Sequence, residues 1–97
     1  MLIRITAAGK ATLEAAEDLK GFKAVVEGGG LSELPNGLGY YEGDGLLWVQ
    51  QAWLRDQAGR YADAAWMAGF DGMVGYARGK GWVTPRNGAI RAHIERG

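Results

Sequence analysis

The feature that most constrains this chain is the spacing of apolar residues between positions 62 and 77. Apolar side chains recur at steps of four, four, three and four residues, at Ala62, Trp66, Phe70, Met73 and Ala77. In an α-helix this spacing places them on one side, because each turn takes about 3.6 residues. A stripe of this width is typical of a helix that faces a globular core. We therefore predict a helical centre on which the other elements pack.

Three glycines, at positions 69, 72 and 75, weaken this helix. Each costs about 1 kcal/mol relative to alanine inside a helix. We expect a break near Gly69 that divides the segment into helices over residues 60–68 and 70–79. The alternative is that the glycines allow a neighbouring helix or a ligand to approach the backbone closely.

The preceding segment, Gly45–Gln57, is apolar on more than one side and fits two structures. As a helix it would begin at a cap formed by Asp44 and would place Leu46, Val49 and Trp53 on one stripe. As a strand it would have no polar face. We favour the helix. In so short a chain, a helix with several apolar sides needs cover from a second subunit, so we expect a homodimer through the apolar helices.

The remaining segments indicate short strands, turns and one more helix. Strands are predicted over residues 1–6, 22–27 and 38–41, and a helix capped by Thr12 over residues 13–20. Asn87-Gly88 predicts a β-hairpin that joins residues 82–84 to residues 89–95. The predicted fold is a single α+β domain over residues 1–97. Its small antiparallel sheet, made of the N-terminal strands and the C-terminal hairpin, packs on two or three central helices. A ferredoxin-like βαββαβ plan is the alternative if Leu46–Leu54 is a strand.

Composition limits both the chemistry and the compartment. Apolar residues make up 47% of the 97 positions, and no cysteine is present, so disulfides, thiolate catalysis and cysteine-based zinc sites are excluded. The apolar run at residues 1–5 is too short for a signal peptide, and no stretch approaches the roughly 18 apolar residues of a membrane span. We expect a cytoplasmic protein that does not contact membranes.

Glycine-rich and histidine motifs stay incomplete. Gly75–Lys80 is one residue short of the GxxxxGK[ST] phosphate loop, and Gly81 stands where a hydroxyl residue is needed. His93 is the only histidine, and with Glu95 it supplies at most two metal ligands. We therefore expect no cofactor and no metal.

A basic C-terminal segment is the first candidate for binding. The net charge is zero, but residues 71–97 carry 5 basic and 2 acidic side chains. Helices followed by a hairpin resemble the outline of a winged helix, with residues 71–79 as recognition helix and residues 84–88 as wing. Phosphates would then contact Arg78, Lys80, Arg86 and Arg91. The helix glycines, the zero net charge and Asp71 make nucleic acid the less favoured partner.

Two further groups of residues are candidates for chemistry or for a pocket. Arg91, His93 and Glu95 would share one face of the last strand, where a carboxylate could tune an imidazole for acid–base work. Tyr40 and Tyr41 lie beside Asp44 in the long glycine-rich connection over residues 28–45 and could line a pocket. A solvated strand face and rim-packing aromatic rings are the favoured interpretations, so a catalytic role is not favoured.

The chain has ten aromatic residues, and aromatic side chains are enriched at interfaces and in ligand pockets. We expect a small, soluble, non-catalytic binding or protein-interaction module, homodimeric, with an aromatic-rich core or pocket. The first alternative is a winged-helix-like nucleic-acid-binding protein that uses the basic C-terminal hairpin. The second is a small enzyme or small-molecule-binding protein with a pocket near residues 28–45.

Overall fold

A mixed sheet forms the frame of the molecule. The computed structural model describes residues 1–28, 33–43, 45–59, 62–84 and 87–96. The strands in these ranges are β1 (Leu2–Ile5), β2 (Ala11–Glu14), β3 (Lys23–Val26), β4 (Gly39–Glu42), β5 (Leu46–Val49) and β6 (Ile90–Arg96). The helices are α1 (Gln51–Ala58) and α2 (Ala64–Gly79). The six strands lie in the order β2-β1-β3-β6-β5-β4, and the sheet curls into a half-barrel.

Strand β6, the last in the chain, lies in the middle of the sheet. It pairs in parallel with β3 and antiparallel with β5. Strand β1 pairs in parallel with β3 and antiparallel with β2, while β4 pairs with β5 at the opposite edge. The predicted alternation along β6 is confirmed, since Ile90, Ala92 and Ile94 are all buried.

The hydrophobic core joins the inner face of the sheet to both helices. Ile3 and Ile5 of β1 are completely buried, as the alternation of residues 1–6 predicted. Trp53 and Leu54 of α1 belong to the same core as these strand residues. The helices therefore fill a half-barrel of strands, whereas the sequence had suggested strands packed around a helical centre.

Helix α2 confirms the predicted apolar stripe. Its buried residues are Trp66, Phe70, Val74 and Ala77. The carboxylate of Asp63 caps the helix, because it accepts a hydrogen bond from the Trp66 amide at 2.8 Å. The predicted break near Gly69 is wrong, since the helix runs without interruption from Ala64 to Gly79. Packing of the buried stripe outweighs the low helix propensity of the three glycines.

Two glycines of α2 leave room for stabilising substitutions. A methyl group at Gly72 or Gly75 would meet no atom within 4 Å, whereas one at Gly69 would lie 2.5 Å from Leu19 Cδ1. We expect Gly72→Ala and Gly75→Ala each to raise the free energy of unfolding by about 0.5–1 kcal/mol, because alanine is the better helix former. Urea denaturation followed by circular dichroism measures the gain. Gly69→Ala is the control and should gain less, since Leu19 must move. Destabilisation at position 72 or 75 would contradict this account of α2.

The helix predicted over Gly45–Gln57 is wrong in its first part. Leu46–Val49 is strand β5, and helix α1 begins only at Gln51, after Gln50. The strand lacks a polar face because both of its faces are covered to some degree. Leu47 and Val49 are buried in the core, and Trp48 on the other face is half-buried. The predicted cap, Asp44, lies outside the described residues.

The helix predicted over residues 13–20 is also wrong. Ala11–Glu14 is strand β2, and Leu13 pairs with Ile3 across an antiparallel ladder. The turn before it is closed by a hydrogen bond from the Thr6 amide to the Lys10 carbonyl at 2.8 Å. Gly9 supplies the positive φ, +81°, that this turn needs. Thr12 is therefore a strand residue rather than a helix cap.

The hairpin predicted from Asn87-Gly88 forms only in part. The Thr84 amide donates to the Ala89 carbonyl at 2.9 Å, and a single bridge joins Val83 to Ile90. The Arg91 amide also donates to the Trp82 carbonyl, but the ladders of β6 are formed with β3 and β5 instead of with the preceding segment. A strand in the middle of a sheet is not a projecting wing, so the winged-helix outline is wrong. Arg86 lies outside the described residues.

The predicted fold class therefore needs correction. The sheet is a six-stranded, mixed half-barrel rather than a small antiparallel sheet that packs on two or three central helices. The ferredoxin-like plan fails as well, because both described helices lie between β5 and β6. Four-residue strands carry only a short alternating pattern, which explains why the strand content was underestimated.

Candidate ligand cleft

A cleft lies between the C-terminal half of α2 and the sheet. Its volume is about 260 Å³. Two segments just outside the regular elements complete its wall, one before β3 and one after α2. The lining residues are Lys20, Phe22, Leu46, Met73, Tyr76, Ala77, Trp82, Ile90, Arg91 and His93.

The end of α2 turns Trp82 back against Tyr76. Gly81 has a φ of +78°, and its amide donates to the Arg78 carbonyl at 3.1 Å. The Trp82 amide donates to the Ala77 carbonyl at 2.8 Å. These two bonds form a Schellman motif, in which the residue after the glycine packs on the last turn of the helix. The rings of Tyr76 and Trp82 accordingly meet edge to face, with centroids 6.2 Å apart.

Strands β5 and β6 supply the opposite wall. Arg91 and His93 lie on the face of β6 that points away from the core, and Leu46 stands directly opposite His93 in the ladder. The Arg91 amide donates to the Trp82 carbonyl at 2.8 Å, which ties the strand to the segment after α2. The Arg91 guanidinium carbon lies 5.7 Å from the centroid of the Trp82 ring, within range of a cation–π contact.

The charge in and around this cleft is positive. Lys20, Arg91 and His93 contribute to its wall, and no lining residue is acidic. Lys80 places its Nζ 5.5 Å from the centroid of the Tyr76 ring. Glu95, two residues after His93, is paired with Lys23 at 3.1 Å. The cleft thus combines apolar and aromatic walls with side chains that carry or can accept positive charge.

The structure brings together three of the predicted binding residues. Arg91 and His93 line the cleft, and Lys80 lies on the Tyr76 ring beside it. Arg78 is exposed on α2 and is not among the lining residues. Arg86 lies outside the described residues.

Tyr40 and Tyr41 do not share a pocket, because successive residues of β4 point to opposite faces of the sheet. Tyr40 is 42% exposed, and its ring stacks on Trp48 at a centroid distance of 6.5 Å. Tyr41 packs against the core, and burial raises the pKa of its phenol. Neither tyrosine lines the cleft. Gly29–Ser32 and Asp44, from the connection over residues 28–45, lie outside the described residues.

The pairing of Glu95 with Lys23 bears on the acid–base hypothesis. The Glu95 carboxylate is bonded to Lys23, the residue that stands opposite His93 in the β3–β6 ladder, and the His93 side chain is exposed. Within the described ranges, no three His, Asp or Glu side chains come close enough together to hold a metal ion. Among the described residues that line the cleft, His93 is the one imidazole, and none is a serine, a threonine or a carboxylate.

Sequence reasoning missed the aromatic walls of this cleft. Tyr76 lies off the apolar stripe of α2. Its ring is 64% exposed and does not pack in the core. Gly81 after a helix end predicts contact between Trp82 and the last turn. The off-stripe tyrosine and the glycine after the helix end could together have predicted the wall formed by Tyr76 and Trp82. Phe22 and Leu46 carry no comparable signal, because their positions depend on the strand order.

No family model, no curated protein and no solved structure matches this chain. Neither helix in the described part of the chain combines the length and apolar character of a membrane-spanning segment.

Proposed function

We propose that this protein is a small, non-catalytic ligand-binding module whose cleft takes a small molecule with a single ring system. The observation that carries the proposal is the cleft beside α2, whose walls include Phe22, Tyr76 and Trp82. Ligand sites are typically concave and mainly apolar, with a few convergent polar groups. The volume of about 260 Å³ lies just below the usual range of about 300–1,000 Å³, which favours a compact ligand over a dinucleotide.

The walls of the cleft are held by backbone bonds, which supports binding without a large rearrangement. The Schellman turn places Trp82, and the Arg91 amide ties that turn to β6. The β5–β6 ladder places Leu46 opposite His93. A site whose groups are already ordered loses less conformational entropy when a ligand arrives.

A fragment screen followed by ¹H–¹⁵N correlation NMR tests the proposal. We expect single-ring fragments to shift the signals of cleft residues together, with dissociation constants below about 1 mM, as a pocket of this character should allow. Tyr76→Ala should weaken the best fragments about three- to tenfold, because an aromatic contact contributes about 0.5–1.5 kcal/mol.

Tyr40→Ala is the matched control, since Tyr40 is also a partly exposed tyrosine but does not line the cleft. It should leave fragment affinities unchanged. Hits that scatter over the surface without concentrating on the cleft, or equal losses in the two variants, would overturn the proposal.

The remaining expectations about partners stay predictions. A homodimer was expected because residues 45–57 suggested a helix with several apolar sides, and that reason is lost with the assignment of β5. Among the described strands, β2 and β4 each have one neighbour, so these two sheet edges are the surfaces where a second copy could pair. Native mass spectrometry measures the subunit number directly. Nucleic-acid binding remains the less favoured alternative, and a cytoplasmic location remains a prediction from the lack of cysteine.

A further inference from the structure

We infer that the ligand of this cleft is an anion, namely a small aromatic molecule that carries a carboxylate. This inference rests on the proposed function and specifies the chemical class of the ligand. Three lining residues, Lys20, Arg91 and His93, carry or can accept positive charge, and none of the ten lining residues is acidic. An apolar body with one negative group complements such a surface in both shape and charge.

The ring contacts disfavour a cationic ligand. Aromatic walls can bind cationic ligands through the faces of their rings. In this cleft the protein's own cations already lie within cation–π range, Arg91 over Trp82 at 5.7 Å and Lys80 over Tyr76 at 5.5 Å. A cationic ligand would compete with these side chains for the rings and would also be repelled by them.

The nearby carboxylates are engaged elsewhere. Glu95 pairs with Lys23 at 3.1 Å. Asp18 accepts a hydrogen bond from the Lys20 backbone amide at 3.1 Å and lies 4.0 Å from the N-terminal ammonium. Glu42 accepts from the Trp48 indole at 2.8 Å. None of the three lines the cleft.

The strand register places Arg91 and His93 on the same side of the cleft. Arg91 and His93 are two residues apart on the same face of β6, about 7 Å from each other along the strand. Phe22, Met73 and Tyr76 supply the apolar and aromatic walls. A ligand with its ring against these walls and its carboxylate toward β6 would contact the apolar walls and the Arg91 and His93 side chains together.

Three probes of one shape and different charge test the inference: indole-3-acetate, indole-3-acetamide and tryptamine. Calorimetry at low ionic strength, with NMR to confirm the site, should show indole-3-acetate binding about tenfold more tightly than the amide, and tryptamine most weakly. The preference should shrink as salt is added, because exposed charges are screened. Lys20→Gln and His93→Gln should each lower the affinity for indole-3-acetate more than the affinity for indole-3-acetamide.

Arg91 needs a separate control because it also packs on Trp82. Arg91→Lys keeps the charge and should keep the preference for the anion, whereas Arg91→Gln should lose it. Equal affinity for the three probes at the cleft would overturn the inference and leave the proposed function standing. Failure of all three to shift the cleft signals would overturn both.

Discussion

Replacing Gly39 with alanine is expected to lower the free energy of unfolding by at least about 3 kcal/mol, a large part of the stability of a domain of this size. Gly39 opens β4 with a φ of +151°, a conformation that favours glycine. A methyl group there would overlap the carbonyl oxygen of Trp48 and lie 3.2 Å from the Cα atom of Val49. Both contacts are to backbone atoms, so no side-chain rotation can relieve them, and the β4–β5 ladder must open.

Substitutions at two nearby glycines distinguish the cost of steric overlap from the cost of a positive φ. Gly43 has a φ of +63° but open space around its position, so Gly43→Ala should cost only the conformational term, about 1–2 kcal/mol. Gly45 has neither a positive φ nor a neighbour within 4 Å, so Gly45→Ala should stay within about 0.5 kcal/mol of the parent protein. Urea denaturation followed by tryptophan fluorescence measures all three. Equal losses at positions 39 and 43 would show that β5 does not approach Gly39 closely.

The elements that could be predicted from the sequence are those with a long or clean periodic signal. Helix α2 was found because Trp66, Phe70 and Ala77 recur at helical spacing over sixteen residues. Strand β1 was found because Ile3 and Ile5 alternate with more polar neighbours. In both cases one face is buried and the other is not, which is the condition under which periodicity is informative.

The elements that were missed have no such contrast. Strand β5 is apolar on both faces because the core covers Leu47 while Leu46 lines the cleft. In the segment with β2, Thr12 is followed by Glu14 and Glu17, a pattern that equally suits a helix start. Only pairing with Ile3 identifies Leu13 as a strand residue.

The strand order was beyond the reach of local signals. The parallel pairing of β3 with β6 joins Ala24 to Ile94, seventy residues apart in the chain. The Asn-Gly turn before β6 favoured a local hairpin, but only one β-bridge forms between the two segments that flank the turn. The cleft depends on this long-range pairing, because it brings Phe22 and His93 into the same cleft. Candidate residues on β6 could therefore be named from the sequence, but the site that they form could not.

Phe70→Ala should be the most damaging change in α2, with a loss of about 3–5 kcal/mol. The Phe70 ring is completely buried and stacks on Trp66 at a centroid distance of 4.9 Å. The guanidinium of Arg55, from α1, lies 5.9 Å from the centroid of the same ring. Alanine would remove the apolar contact and leave a cavity where the helix meets the core. Phe70→Leu retains most of the volume and should lose less than half as much, which keeps the measurement possible if the alanine variant does not fold.

Tyr76→Ala is the control within the same helix. The Tyr76 ring is 64% exposed, so its removal should lower the free energy of unfolding by less than about 1 kcal/mol. The two substitutions then distinguish the role of α2 in stability from its role in ligand binding. Loss of Phe70 should lower the denaturation midpoint, while loss of Tyr76 should weaken ligands at the cleft and leave the midpoint nearly unchanged. If Tyr76→Ala instead destabilised the protein as strongly as Phe70→Ala, its ring would be part of the core, and the exposed wall on which the proposed ligand site depends would not exist.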